Sequence, residues 1–299
     1  MRYAIAVTTA HRPLRMNSLP FSNTSAEQAD GLHAFVTRHP RLFVLSGAGI
    51  STASGIPDYR DADGQRKGRS PIMLQDFLRA EPARRRYWAR SMVGWRTVAA
   101  AAPNPAHRAL AELESLGRVE QLVTQNVDGL HQRAGSANPI ELHGNIGCAI
   151  CLDCGQRHAR ASIQVILETD NPKFRTLSAA AAPDGDANLE SSDFATFRVP
   201  CCIACGGVLK PDVVFFGEGV PRARVDAAAQ ALERADAMLV VGSSLMVYSG
   251  YRFCEWAARA DKPIAAVNIG RTRADPLLAL KVLTPCAEVL TRLLEQLVR

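Results

Sequence analysis

The 299-residue chain has no apolar run approaching the ~18 residues that a membrane-spanning helix requires. It also lacks a charged leader followed by an apolar segment and a small-residue cleavage site, which speaks against secretion. Acidic residues are missing before Glu27, whereas Arg2, Arg12 and Arg15 fall within that stretch. A mitochondrial transit peptide shows this bias, and so does an unstructured tail over residues 1–26. Aromatic residues are few (6%), and no strong charge of either sign is present: 35 basic against 29 acidic side chains leave +6. That small surplus, mostly arginine spread along the chain, reads as a solvated surface and not as a nucleic-acid footprint. No membrane or nucleic-acid partner is therefore expected. What the chain does have is apolar content, 47% hydrophobic, enough for a real core and for about two domains at this length.

Short continuous apolar runs recur at Leu42–Leu45, Val119–Val123, Val213–Phe216, Met238–Val241 and Ile264–Val267. Amphipathic helical patterns alternate with most of them. In Arg222–Ala235 the stripe is Val225, Ala228, Ala229 and Leu232, and near the C-terminus it is Val289, Leu290, Leu293, Leu294 and Leu297. Buried strands separated by helices predict an α/β fold, a Rossmann-like doubly wound parallel sheet. Two segments interrupt the alternation: residues 58–105, arginine-rich and helical in pattern, and residues 145–212, which hold six of the eight cysteines. The expected organisation is a Rossmann-like NAD-binding domain over 27–57, 106–144 and 213–299. A smaller inserted domain combines a helical module (58–105) with a zinc-ribbon module (145–212). The stretch Ser178–Asp193 reads as a flexible loop without assignable chemistry.

The cysteines cluster instead of spreading, which favours metal over disulfides. Cys151 and Cys154 form one C-x2-C pair, Cys202 and Cys205 another, with 47 residues between them. Each pair is followed by glycine, Gly155 or Gly206, which permits a tight knuckle. Four thiolates complete a tetrahedral Zn2+ shell with no position left for water, so one structural zinc is expected. Cys148 and Cys201 precede no glycine at knuckle spacing and are left outside the set.

After the first apolar run, Gly47 and Gly49 stand at the G-x-G spacing of a pyrophosphate-binding turn, but Thr52 occupies the place of the third glycine. No clean strand ends in an acid ~20 residues further on, which disfavours an ordinary dehydrogenase. Other strands end in small or polar loops, among them Thr124-Gln125-Asn126, Gly242-Ser243-Ser244 and Asn268-Ile269-Gly270. In an open α/β sheet such ends line the ligand crevice. Asn126 and Asp128 sit side by side across a turn. His143 follows another strand, where an imidazole can take a proton. By residue type His107 and His131 are equally eligible.

The set GAGIS, SGIPDYR, TQNVD, ELHG, the paired C-x2-C, KPDVVFFGE, VVGSSLMVYSG and NIG resembles the sirtuins, NAD-dependent protein deacylases, over roughly residues 27–298. The details RYWARSMVGW, APDGD and YSGYRF look most like class II, the sirtuin-4 type. The resemblance implies that NAD is consumed as a co-substrate, with Gly47, Ala48 and Gly49 at its phosphates. A mobile loop would run through Ser51, Thr52, Ile56, Pro57, Asp58, Tyr59 and Arg60 over its nicotinamide end. Gln125, Asn126 and Asp128 would order the nicotinamide pocket and ribose. Gly242, Ser243 and Ser244 would bind phosphate and ribose, and Asn268, Ile269, Gly270 and Cys286 the adenosine end. Asn126, Asp128 and His143 form the implied catalytic set. The acyl oxygen attacks the anomeric carbon as nicotinamide leaves, and His143 acts as general base through the ribose hydroxyls. Nicotinamide, free lysine and O-acyl-ADP-ribose result.

A substrate protein would be held as an extended peptide by Val213, Val214, Phe215, Phe216, Gly217 and Glu218, a strand-pairing mode. Tyr87 and Arg90 have the Y-x-x-R spacing that binds an acyl carboxylate in some sirtuins, because a guanidinium fork pairs with two oxygens; a packed Tyr beside a helix-surface Arg reads equally well. Two alternatives to deacylation remain at this level. Protein mono-ADP-ribosylation keeps NAD cleavage and changes the acceptor. A nucleic-acid-binding zinc ribbon would need basic and aromatic residues that 155–200 does not concentrate. A monomer in a bacterial cytoplasm is expected, with the mitochondrial matrix as the second choice.

Overall fold

The computed structural model describes residues 24–68, 71–189 and 193–298. The arginine-bearing N-terminal stretch lies outside them.

Helix α1 (Ser25–Arg38) opens on a capping box in which Thr24 and Glu27 satisfy each other's backbone N–H groups. Strand β1 (Leu42–Ser46) is buried at every position. Two 3-10 turns follow, Ala48–Ile50 and Thr52–Ser54, in place of a helix. The chain then builds α2 (Leu74–Arg79), α3 (Glu81–Ala100), α4 (Pro105–Ser115), β2 (Val119–Thr124), α5 (Leu130–Arg133) and β3 (Ile140–Glu141). Strands β4 (Gly144–Cys151) and β5 (Arg157–Ala159), helices α6 (Arg160–Asp170) and α7 (Pro172–Arg175), and the short pair β6 (Ala181–Ala182) and β7 (Asp186–Ala187) come next. The remainder is β8 (Leu209–Val213), α8 (Arg222–Arg234), β9 (Ala237–Val241), α9 (Tyr248–Arg259), β10 (Ile264–Val267), β11 (Leu280–Val282) and α10 (Cys286–Leu297).

Six strands make one parallel sheet in the order β11-β10-β9-β1-β2-β3. The doubly wound parallel sheet read from the sequence is thus present. Its strands are continuous apolar runs because both faces are covered. Leu32, Leu110, Leu290 and Leu293 of α1, α4 and α10 pack with Val44 and Leu239 on one face. Ala228, Leu232 and Phe253 of α8 and α9 pack with Phe43 and Val240 on the other. The strand order reverses between β1 and β9, and the crevice beyond the carboxyl ends of strands at such a reversal is where open α/β sheets bind ligands.

The third apolar run of the sequence, Val213–Phe216, belongs elsewhere. The strand there is Leu209–Val213, and it pairs antiparallel with β4 in a separate three-stranded sheet, β5-β4-β8. Past Val213 the chain leaves the strand. Val214 N–H donates to the His143 carbonyl (2.7 Å) and the Phe216 carbonyl accepts from Leu74 N–H (3.0 Å). A continuous apolar run marks a buried segment but carries no period that fixes its sheet or its ends, so this expectation was displaced by four residues.

The helical and cysteine-bearing segments share one core. Phe77, Trp88 and Met92 pack with Ala149, Ile163, Leu167, Leu209 and Phe215. Arg160, fully buried, stacks its guanidinium on Trp88 and Trp95 and donates to Gln164 (2.8 Å). The stretch read as a flexible loop includes a small hairpin, β6–β7, whose turn packs on α3. A Cβ at Gly94 would collide with the carbonyl oxygens of Gly185 and Asp186, so only glycine lets α3 come this close.

Candidate active site and metal centre

A cavity of about 600 Å³ opens beyond the carboxyl ends of β1, β2, β9 and β10. All four strand-end loops singled out in the sequence line it: Gly47, Ala48 and Gly49; Gln125 and Asn126; Gly242, Ser243 and Ser244; and Asn268, Ile269 and Gly270. The glycines are there because two loops cross in near contact. A Cβ on Gly47 would come within 2.7 Å of Ser243 Cβ, and one on Gly49 within 2.8 Å of the Gly242 carbonyl oxygen. A third glycine is not needed, since Thr52 begins a 3-10 turn at the surface and its hydroxyl donates to the Gly49 carbonyl (3.0 Å). Thr52, Asp58, Tyr59 and Arg60 also face the cavity, as does Cys286, whose thiol burial pushes up to about 12. Such a thiol stays neutral and packs; it offers no anion to a ligand. Arg60, Arg66, Lys67 and Arg252 place cationic groups on the lining. Gly47 N–H and Gly49 N–H are taken by the Val241 and Gly242 carbonyls, so it is the cations, beside loops in which glycine allows close approach, that suit a diphosphate.

An adjoining recess is lined by Ser51, Ile56, Pro57, Asn126 and Asp128. Its polar groups are cross-braced. Ser51 O–H donates to Asp128 Oδ2 (2.7 Å), while Asn126 Nδ2 donates to Ser51 Oγ (3.0 Å) and to the Gly47 carbonyl (3.2 Å). Leu130 N–H donates to the other Asp128 oxygen (2.9 Å). Ser243 O–H donates to Gln125 Oε1 (2.6 Å), joining two strand ends across the cavity.

The structure separates the three histidines that residue type alone left equal. His131 is buried beside Ser46 (2.8 Å) and His107 beside Ser51 (3.4 Å), the two rings packed edge to face. Burial depresses both, His131 to about 3 and His107 to about 4, so both are neutral core groups. His143 lines the cavity. Its Nδ1 lies 2.8 Å from the Gln125 carbonyl, and since a carbonyl only accepts, Nδ1 carries the proton. Nε2 is then a lone pair, and Ser249 O–H donates to it at 2.8 Å. Burial lowers the His143 pKa, partly offset by the Gln125 hydrogen bond, which leaves a neutral imidazole with a basic nitrogen toward the cavity.

Residues 213–218 all border the cavity. Tyr87 and Arg90 do not. Tyr87 is packed among Phe77, Trp88 and Phe215, and burial pushes its hydroxyl up, beyond titration at any ordinary pH. Arg90 is taken by Asp186 of the hairpin, Nε to Oδ1 2.8 Å, and by the Ala187 carbonyl (3.2 Å). Conversely, several cavity residues escaped the sequence reading, among them Arg66, Lys67, Arg252, Ser249 and Asp184. Ser249 stands in YSG, a stretch quoted for its likeness but given no role. Asp184 stands in APDGD, likewise quoted for its likeness and given no role, within the loop read as having no assignable chemistry.

The four knuckle cysteines converge. All four sulfurs lie within 4.8 Å of one another, with Cys151–Cys205 at 3.5 Å and Cys154–Cys202 at 3.8 Å. A tetrahedral Zn2+ with ~2.3 Å bonds requires sulfur separations of ~3.8 Å, so the set fits the ion. Gly155 and Gly206 both adopt φ +73°, and Gly155 N–H and Gly206 N–H close their turns onto the Cys151 and Cys202 carbonyls. His158 Nε2 lies 3.3 Å from the Cys202 sulfur, suited to orient that ligand. Cys148 and Cys201 stay outside the cluster.

Comparison with known proteins agrees with this geometry. A family model described as the Sir2 family matches residues 47–249. A NAD-dependent protein deacetylase of Bordetella bronchiseptica is 61% identical over 87% of this chain and 94% of its own length. NAD-dependent protein deacetylase 2 of Bradyrhizobium diazoefficiens is 55% identical, with 93% and 100% covered. Among solved structures, a Sir2 protein bound to a propionylated peptide superposes with a TM-score of 0.69 at 31% identity, covering 90% of this chain and 98% of that one. A Sir2 homologue in complex with NAD superposes with a TM-score of 0.68 at 29% identity, covering 89% and 93%.

Proposed function

The chain belongs to the Sir2 family, and from that premise we propose that it removes acyl groups from protein lysine side chains, consuming NAD and releasing nicotinamide and O-acyl-ADP-ribose. One observation carries the reading: His143 presents an unprotonated Nε2 to a cavity whose other walls are phosphate-suited loops and a cross-braced polar recess.

In this reading the site residues take the roles that the family resemblance implies. Gly47 and Gly49, with Ser243 and Ser244, hold the diphosphate and a ribose of NAD. Asn268, Gly270 and the cavity wall at Cys286 receive the adenosine end. The recess of Ser51, Ile56, Asn126 and Asp128 takes the nicotinamide ring, where the braced amide and carboxylate orient its carboxamide. His143 receives a proton from a ribose hydroxyl, which makes that oxygen the nucleophile toward the acyl carbon. Ser249 must give up Nε2 for this to occur. A peptide runs along residues 213–218, with Val214 N–H already engaged to the enzyme. Four thiolates, Cys151, Cys154, Cys202 and Cys205, hold one Zn2+, whose closed shell fixes the small sheet and leaves no site for catalysis. The bacterial relatives favour a bacterial cytoplasm, and the motifs RYWARSMVGW and YSGYRF favour the class II, sirtuin-4-like branch.

Incubation of the protein with NAD and acyl-lysine peptides, followed by mass spectrometry, tests the reading. O-acyl-ADP-ribose that disappears in His143→Tyr supports it. Nicotinamide release with ADP-ribose left on protein would replace it with mono-ADP-ribosyl transfer, and release of free ADP-ribose alone would replace it with NAD hydrolysis.

A further inference from the structure

We propose that Ser249 is a positioning residue for the general base: its hydroxyl holds the His143 Nε2 lone pair, neutral and aimed, until a ribose hydroxyl of NAD takes its place. The inference rests on the deacylase reading above and adds to it the residue that prepares its base.

The imidazole is clamped at both nitrogens. The Gln125 carbonyl, just past the end of β2, accepts from Nδ1–H at 2.8 Å, and Ser249 O–H, in the first turn of α9, donates to Nε2 at 2.8 Å. The α9 arm depends on a close approach. The next residue is Gly250, and a Cβ there would lie 2.5 Å from Gln125 Nε2 and 2.7 Å from its Cδ. That amide cannot swing aside freely, because its Oε1 accepts from Ser243 O–H at 2.6 Å. Glycine at 250 therefore lets the helix begin close enough to the β2 end for Ser249 to reach the ring. Gln125 thus fixes His143 from the Nδ1 side with its carbonyl and seats the opposing arm with its side chain.

Nε2 has a single lone pair, so it takes one strong donor at a time. With Ser249 on it, the nitrogen that must receive the ribose proton is closed to water, while both residues line the cavity that receives NAD. A ribose hydroxyl arriving at Nε2 exchanges one O–H donor for another without change of charge, and Ser249 leaves by rotation about its Cα–Cβ bond. Only then does the proton pass from the ribose oxygen to Nε2. The donated bond also favours the neutral ring, because imidazolium has no lone pair to offer at Nε2. Arg224 of α8 and Arg252 of α9, the charged groups that act on His143, push in the same direction, as does the amino-terminal end of α9. The segments at Gln125 and Val214 meet the residue with backbone groups. Ser249 is the part of this environment that NAD itself removes.

The test follows the acid limb of the pH profile of the zinc-loaded full chain. kcat/KM for NAD reports the enzyme before NAD binds, and kcat the complex in which Ser249 has already been displaced. Loss of the donor raises the His143 value of the free enzyme. In Ser249→Ala the kcat/KM midpoint should therefore move up by about 0.5 to 1 pH unit, while the kcat midpoint stays in place. Ser249→Thr, which restores a hydroxyl, should return the kcat/KM midpoint to the wild-type value. An unmoved kcat/KM midpoint in Ser249→Ala, an equal movement of both midpoints, or a Thr variant that behaves like the Ala variant overturns the inference. A ring-nitrogen NMR titration, with His143 assigned by its loss in His143→Tyr, reads the same quantity without turnover. The His143 midpoint should be higher in Ser249→Ala than in wild type, and NAD added without acyl peptide should erase the difference. A difference that is missing, or that survives NAD, overturns the inference as well. If wild type turns over no acyl peptide, the deacylase reading fails and the titration decides this inference alone.

Discussion

Two glycines of the NAD loop separate two reasons for being glycine, and alanine at each gives opposite outcomes. Gly49 does not adopt a positive φ, so alanine is acceptable to its backbone. The obstacle is crowding: the new Cβ would sit 2.8 Å from the Gly242 carbonyl oxygen and 3.0 Å from its Cα, where ordinary contact begins at 3.4 Å. These are backbone atoms of a buried crossover, so the loops must part by about 0.6 Å, and overpacking of this kind costs about 1–3 kcal/mol. Where that cost falls on the NAD-competent arrangement, KM for NAD rises between about 5-fold and about 150-fold. Gly55 is the reverse case, with φ +84° and nothing within 4 Å of a Cβ. Gly55→Ala should therefore cost about 1 kcal/mol of stability through backbone strain and leave affinity for NAD nearly unchanged. The assay is KM for NAD at saturating acyl peptide, beside a thermal melt of each variant. Wild-type KM in Gly49→Ala, or a larger KM effect in Gly55→Ala, would refute the crowding argument.

Cys205→Ser should abolish stoichiometric zinc, measured by metal analysis, and lower the melting temperature sharply, because the knuckles brace a core shared with α3. Ser249→Ala removes the O–H donated to His143 Nε2 and should destabilise the protein by about 1 kcal/mol in urea unfolding while leaving measurable deacylation. Stability should fall as the solution is acidified below the unfolded histidine value of ~6.5, since His107 and His131 stay neutral in the folded chain while the unfolded chain takes up protons. By pH 5 each contributes a loss of about 2 kcal/mol, and calorimetry at pH 5 and pH 7.5 reads it. Because the folded His143 pKa is lowered, kcat/KM should hold its neutral-pH plateau down to pH 6.5 and decline only below it; a midpoint above 6.5 would contradict this.

Sequence patterns revealed what local chemistry encodes. The zinc ligands were legible because knuckle spacing and the following glycine are a short-range requirement. The four cavity loops were legible because each follows a buried apolar strand, and the sheet topology brings those ends together. His143, His107 and His131 were not separable, since burial depends on which helices cover them. Strands β3 and β11 were missed at two and three residues, where the pattern is too short to register. Asp184 was hidden for another reason. Its neighbours are small and polar, as in a loop, and only the fit of the hairpin onto Gly94 of α3 brings it to the rim of the cavity. Arg90 shows the same limit from the other side, because its partner Asp186 lies 96 residues away in sequence.

The position of β1 in the sheet bears on how the chain is made. Among the described residues it is the first strand in chain order, yet it lies between β2 and β9, and β9 begins 195 residues after β1 starts, at Ala237 opposite Leu42. The shared core of the inserted modules likewise runs from Phe77 to Phe215. Neither layer can close while synthesis is under way through the cysteine-rich segment. A nascent chain of that length therefore carries open strand edges and unfilled apolar faces, the species that chaperones capture. Long-range pairing of this kind also makes the refolding of the finished chain slow.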